Sequence, residues 1–202
     1  MLEVDTGDVL ALASKPSFDP NLFAQGIDAA AWRTLIQDPL APLSNKAVAG
    51  QYAPGSTFKM LVALAALEHG LVSPQKAFFC NGVHKLGRGS FHCWRRGGHG
   101  WVAMNDAIEQ SCDVYFYEVA RKVGIDRIAE MSRRFGLGAP TGIDLPVEKG
   151  GLMPTRAWKQ QALNRPWQAG ETLIAGIGQG FVLTTPLQLA VMTARHAKGG
   201  HA

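Results

Sequence analysis

A serine and a lysine three residues apart, Ser56 and Lys59, stand in a Pro54-Gly55-Ser56-Thr57-Phe58-Lys59 run that leads into an apolar stretch. On a helix this spacing puts two side chains on one face, with Cβ atoms roughly 5–6 Å apart, so the amine can reach back to the hydroxyl. A serine becomes a nucleophile when a neighbouring base takes its proton, and an amine is such a base only when neutral. Burial favours the neutral amine because it penalises the charged form. Residues 58–67 are apolar nearly all round and end near Gly70, which is how a buried central helix reads. Pro54 and Gly55 permit a sharp approach that leaves Ser56 in the first turn, where the helix N-terminus favours developing negative charge. An isolated Ser-x-x-Lys also has a bland reading, in which Ser56 caps a core helix and Lys59 extends its ammonium to water.

Three cysteines and a histidine, Cys80, Cys93, His99 and Cys112, form a second group, with intervals of 13, 6 and 13 residues. Four such donors suit a tetrahedral Zn²⁺, although the spacing lacks the tight cysteine pairs of common zinc modules. His84 and His92 are alternatives to His99. A disulfide between two of the cysteines, leaving one over, and three free buried thiols are the other readings. His69, His196 and His201 read as surface or terminal residues.

The elements that must position these groups are partly legible. Leu2–Ala13 reads as two short strands joined at Thr6-Gly7-Asp8. Ala29 to Gln37 reads as a short helix before Asp38-Pro39, and 73–100 as an irregular excursion with one hairpin. Asn105 is expected to cap a helix to about Gln110, with helices again over 114–123 and 125–135. Between the first two lies Ser111-Cys112-Asp113. Thr141–Leu145 reads as loop and strand, and Ala175–Gly180 as a glycine-rich backbone turn that fits neither the phosphate-loop nor the dinucleotide pattern. Thr185 at the N-cap and Pro186 at the first helical position open a last helix toward Ala197.

The 202 residues are 47% hydrophobic, enough for one substantial core or a large piece of a bigger domain. The net charge is +4, but the basic residues are scattered apart from Arg95-Arg96 and Arg133-Arg134, so the footprint of a nucleic-acid binder is missing. No stretch reaches the roughly 18 apolar residues of a membrane helix. The abrupt start at Met1 suggests a fragment.

Pro-Gly-Ser56-Thr-Phe-Lys59, Ser111-Cys-Asp113, Gly178-Gln-Gly180 and Thr185-Pro-Leu-Gln188 occur in the order found in penicillin-binding transpeptidases. Thr6–Ser14 with Asp19-Pro-Asn21 resembles the opening of that domain, and Met153-Pro-Thr-Arg-Ala-Trp-Lys159 resembles the elongation-type class, penicillin-binding protein 2. The resemblance implies an α/β (α+β) fold, shared with serine β-lactamases, in which helices flank an antiparallel sheet. It implies a D,D-transpeptidase that cross-links peptidoglycan stem peptides through an acyl-enzyme on Ser56, with Lys59 taking the proton and Ser111 and Asp113 completing the site, and it implies that β-lactams acylate the same serine. Catalysis in this family needs no cofactor. The resemblance further implies a parent on the periplasmic face of the bacterial inner membrane, with a membrane anchor, a pedestal domain, and a membrane glycosyltransferase and the elongation machinery as partners. Some members of the class hold a zinc in the loop that contains the cysteines, so a structural zinc at Cys80, Cys93, His99 and Cys112 would brace Ser111 and Asp113 from behind.

Two departures matter. The second motif is usually Ser-x-Asn, and Asp113 here places a carboxylate near Lys59, which favours the ammonium and opposes the effect of burial. The third motif, Lys-Ser/Thr-Gly, occurs nowhere in the sequence. By the family pattern that strand supplies one of two oxyanion donors, and losing such a donor costs about 10²–10³ in rate. Residues 1–202 are therefore expected to be a C-terminally truncated transpeptidase domain, weakly active or inert alone. The rival readings are a serine β-lactamase or β-lactam sensor, and a catalytically silent, metal-stabilised interaction module.

Overall fold

The structure, a computed structural model, describes residues 1–24 and 26–199. Among them the order is α1 (Asn21–Ala24), α2 (Ala29–Gln37), α3 (Lys46–Ala49), a single 3₁₀ turn (Gly55–Phe58), α4 (Lys59–Glu68), β1 (Phe78–Cys80), β2 (Val83–Leu86), β3 (Gly89–His92), β4 (Gly100–Val102), α5 (Met104–Glu109), α6 (Asp113–Val123), α7 (Ile125–Arg134), α8 (Arg156–Leu163), α9 (Ala169–Ala175) and α10 (Pro186–Ala197). The expected mixture of helices and antiparallel strands is present. Its strands form two small antiparallel pairs, β1 with β4 and β2 with β3, supplemented by bridges from Tyr52 to Thr184 and Leu152 to Leu183.

α4 is the central element. Its apolar circumference buries Leu61, Val62, Ala63, Ala65 and Ala66, and it packs chiefly on α6 and α7, while α9 covers another side of α6. Tyr115 and Phe116 of α6 are fully buried beside it. A helix that is apolar on every side gains stability only when neighbours surround it, and here they do. At the far end, Thr185 caps α10 by accepting from the Gln188 amide at 3.1 Å, and Gln188 Oε1 accepts from the Thr185 amide at 2.9 Å. Gln188 is wholly buried, and its Nε2 donates to the carbonyls of Ala139 at 2.7 Å and Gly150 at 2.8 Å, so its polar groups are satisfied.

Several expectations need correction. Leu2–Ala13 forms one bridge, Leu2 to Val9, because a two-stranded ribbon exposed on both faces is marginal in water. Thr141–Leu145 makes no strand; the Glu148 carboxylate takes the Thr141 amide at 2.7 Å and hydroxyl at 2.6 Å, closing a local loop. The N-cap of α5 is Ala103 without a side-chain bond, not Asn105. The excursion over 73–100 contains the expected hairpin, β2–β3, and one strand, β1, of a second pairing. α8 and α9 are additional, started by Thr155, which accepts from the Trp158 amide at 3.0 Å, and by a Gln168–Glu171 capping box. His69 is exposed as expected, whereas His196 is half-buried against Phe135 with ring centroids 4.9 Å apart; His201 lies outside the described residues.

Candidate active site

Ser56 occupies the 3₁₀ turn that leads into α4, and Lys59 is the first residue of α4. The serine is exposed, whereas Lys59 retains 2% of its accessible surface. In a 3₁₀ turn residues three apart are eclipsed, so both side chains leave on the same side. In place of the direct lysine-to-serine reach expected from spacing, the two side chains are linked through Ser111. Lys59 Nζ contacts the Ser111 carbonyl at 2.9 Å, Ser111 Oγ at 3.0 Å and Asp113 Oδ1 at 2.7 Å. Ser111 Oγ in turn bonds Ser56 Oγ at 2.8 Å. The Phe116 ring, 5.6 Å from Nζ, closes one side of the lysine pocket.

Ser111 precedes α6 with φ at +52°, a left-handed conformation that costs an ordinary residue roughly 1–2 kcal/mol. This turn aims its hydroxyl at Ser56 and its carbonyl at Lys59. Asp113 opens α6, where the helix N-terminus favours a carboxylate. Its second oxygen, Oδ2, accepts the Trp94 backbone amide at 2.9 Å. The Trp94 indole Nε1 donates to the carbonyls of Gln110 and Ser111, each at 3.1 Å. No motif or periodicity in the sequence points to Trp94, which sits in the irregular excursion.

A second support comes from the Gly178-Gln-Gly180 turn. The Gly55 amide donates to the Gly178 carbonyl at 2.9 Å. Gly178 has φ +68°, and a Cβ there would lie 2.2 Å from the Gly55 carbonyl oxygen and 2.8 Å from Phe58 Cβ. Only glycine permits this approach beneath the turn that carries Ser56.

Directly behind Ser111 and Asp113, Cys80, Cys93, His99 and Cys112 converge, with their donor atoms all within 4.8 Å of one another. His84, an alternative ligand on sequence grounds, instead faces Glu118, with Nδ1 3.2 Å from Oε1. His92 is exposed on β3. His99 Nδ1 is 3.6 Å from both Cys80 Sγ and Cys93 Sγ. A tetrahedral ion with Zn–S about 2.3 Å and Zn–N about 2.0–2.1 Å separates sulfur from nitrogen by about 3.6 Å, so the donor set fits zinc. The close approach of the two arms depends on Gly98, where a Cβ would lie 2.1 Å from the Cys80 carbonyl oxygen. Burial beside Arg95 holds the His99 imidazole below its ordinary range, which favours the neutral, ligating form. Burial and the neighbouring thiols push the Cys112 thiol up to about 12. A divalent cation inverts that preference by favouring the thiolate. The three cysteines form no disulfide in this structure.

The family model "Penicillin binding protein transpeptidase domain" matches residues 1–202. The peptidoglycan D,D-transpeptidase MrdA of Escherichia coli K12 is 44% identical over 187 residues, covering 92% of this chain and 30% of that protein. The crystal structure of Pseudomonas aeruginosa PBP2 in complex with WCK 5153 superposes with a TM-score of 0.93 at 46% identity, covering 99% of this chain and 44% of that one. The penicillin G acyl-enzyme complex of penicillin-binding protein A from Mycobacterium tuberculosis gives a TM-score of 0.85 at 29% identity, covering 98% and 45%. The chain thus spans about a third of the length of the curated relatives it matches. With its full-length match to the family model and the shared fold, this chain belongs to the penicillin-binding protein transpeptidase domain family.

Proposed function

We propose that this chain carries the nucleophile and proton relay of a peptidoglycan D,D-transpeptidase of the elongation class, residues 1–202 being one part of its transpeptidase domain. The observation that carries the reading is the chain of contacts from exposed Ser56 through Ser111 to buried Lys59. In the reacting form Lys59 is the neutral amine. Its two N–H groups are donated to the Ser111 carbonyl and Asp113 Oδ1, which can only accept, and its lone pair faces Ser111 Oγ. Ser56 Oγ attacks the penultimate D-Ala carbonyl of a stem peptide while its proton passes to Ser111 Oγ and the Ser111 proton passes to Lys59. The resulting ammonium is stabilised by Asp113. The tetrahedral intermediate collapses with departure of the terminal D-Ala, whose nitrogen regains a proton from the relay. An amine of a second stem peptide then resolves the ester and regenerates Ser56.

The same nucleophile takes up β-lactams, whose strained amide opens onto Ser56 and leaves no departing group. By the family pattern the Ser56 amide is one oxyanion donor and a Lys-Ser/Thr-Gly strand supplies the other, so robust turnover belongs to a form extended through that strand. Location on the periplasmic face of the inner membrane, and a membrane glycosyltransferase with elongation proteins as partners, follow from the family reading. No helix among the described residues is long and apolar enough to cross a membrane.

Zinc held by Cys80, Cys93, His99 and Cys112 is the reading we favour for the thiol cluster. It would tie β1 and the turn before β4 to residues 111–113, a structural task outside the acyl-transfer steps. Metal analysis of carefully reduced protein should give one zinc per chain, and its absence would remove the site from the account. The activity is tested by supplying an extended form with stem peptides ending in D-Ala-D-Ala and measuring D-Ala release and cross-linked product. Release that survives Ser56→Ala would overturn the assignment.

A further inference from the structure

We propose that Trp94 is a positioning residue for the relay, holding Ser111 through its indole and Asp113 through its backbone amide. The inference rests on the functional reading above. Burial does not account for this tryptophan, which exposes 64% of its surface. Its polar groups account for it better. The indole Nε1 donates to the Gln110 and Ser111 carbonyls at 3.1 Å each, spanning the turn that carries the left-handed Ser111. The Ser111 carbonyl that it engages is also the one bound by Lys59 Nζ at 2.9 Å, so indole and lysine together fill both lone pairs of that oxygen.

Asp113 is divided in the same way. Oδ1 faces Lys59 at 2.7 Å, and Oδ2 accepts the Trp94 amide at 2.9 Å, which fixes the rotation of the carboxylate about its own axis. Trp94 is itself held on two sides. Cys93 precedes it in the chain and points into the thiol cluster, and the ring packs edge-on against His99 with centroids 5.4 Å apart. One residue therefore joins the cluster behind the turn to both groups that contact Lys59. Without the indole N–H, the strained turn at Ser111 relaxes more readily toward ordinary backbone, carrying its hydroxyl away from Ser56.

The test uses a form extended through the Lys-Ser/Thr-Gly strand, with benzylpenicillin acylation resolved by stopped flow into a binding constant and a first-order acylation rate constant. Trp94→Phe removes the N–H while keeping an aromatic ring and the backbone amide. The expected result is a fall of about 5- to 10-fold in the rate constant, the size of one lost hydrogen bond, with the binding constant within about twofold and the metal content unchanged. Should Trp94→Phe melt early, incorporating 3-benzothienylalanine at this position replaces only the N–H by sulfur and should give the same fall. An unchanged rate constant would overturn the proposal. So would a loss confined to the binding constant, which would make the ring a wall of the substrate cleft. An unsubstituted protein that does not acylate at Ser56 would overturn the functional reading and this inference together, whereas equal acylation by parent and variant would overturn this inference alone.

Discussion

In the polar network Lys59 Nζ has three oxygen partners within 3.0 Å, whereas in the thiol and imidazole cluster beside it His99 Nε2 is buried with no partner among the described residues. The two groups share the segment 111–113, yet they are organised in opposite ways. Around Lys59, donors and acceptors alternate, so a proton can shift along the line without leaving a polar group unpaired. Around Cys112, sulfur and nitrogen donors converge on a common centre, an arrangement that suits a cation. Under the proposed function the first region carries the chemistry and the second the bracing. The first arrangement also explains why Asp113, a departure from the usual asparagine, is tolerated: its charge is shared between the buried lysine and a backbone amide.

The sharpest way to break that division is to remove the amine. Lys59→Met in an extended form should slow acylation by about 10²–10⁴-fold, the usual range for a lost general base. Leaving Asp113 without its cation should also destabilise the fold by about 3–5 kcal/mol. Adding Asp113→Asn should restore much of the melting temperature and none of the rate; a double variant that recovers both would place the base elsewhere.

Bracing predicts the reverse pattern for the cluster. With free zinc at about 100 times its dissociation constant, the bound ion stabilises by about 2.7 kcal/mol, so chelation should lower the melting temperature by several degrees in calorimetry. Cys112→Ser should abolish that zinc-dependent difference. A cluster variant that melts as the parent does, with and without metal, would dissolve the contrast between the two regions.

Gly178→Ala probes the support beneath the nucleophile. The added methyl forces a left-handed alanine against the Gly55 carbonyl, and a loss of about 1–3 kcal/mol with slower acylation is expected. Unfolding curves and acylation rates that match the parent would remove this turn from the site. Thr185→Ala, which removes the cap of α10 and no contact of Ser56, Ser111 or Lys59, should cost about 1 kcal/mol and leave the acylation rate alone.

The smallest effect is a pH dependence at Glu148. Burial raises the carboxyl's affinity for its proton, but hydrogen bonds from the Thr141 side chain and amide and from Gly142 outweigh it and hold Glu148 below the usual carboxylate range. A folded value depressed below the unfolded one contributes stability above the ordinary glutamate range, and the contribution is lost as pH falls through the folded value. Glu148→Gln should therefore flatten the acid limb of the stability curve slightly, and an unchanged limb would contradict the loop's role.

The site was legible where local chemistry and helical spacing set it. Ser56, Lys59, Ser111 and Asp113 come together as their motifs suggest, and α2, α4, α6, α7 and α10 lie close to where apolar periodicity and capping residues put them. The four ligand candidates Cys80, Cys93, His99 and Cys112 also converge, chosen over His84 and His92. What stayed hidden depends on contacts remote in sequence. Ser111 stands between Lys59 and Ser56 because of a left-handed turn that no periodicity announces. Trp94 reaches the site through one amide and one indole N–H, and Gly178 reaches it through a backbone carbonyl. Residues 2–13 pair only at Leu2 and Val9 because alternation alone does not supply a sheet to pack against.

Whether Ser56 is the acylated nucleophile is decided by intact mass spectrometry after benzylpenicillin treatment. This chain and a form extended through a Lys-Ser/Thr-Gly strand, each first shown to be folded, would be compared with their Ser56→Ala variants. A stoichiometric adduct is expected on the extended form, mapping to Ser56, absent from Ser56→Ala, and weak or missing on residues 1–202 alone. An extended, folded form that takes up no penicillin, or an adduct that persists in Ser56→Ala, would contradict it.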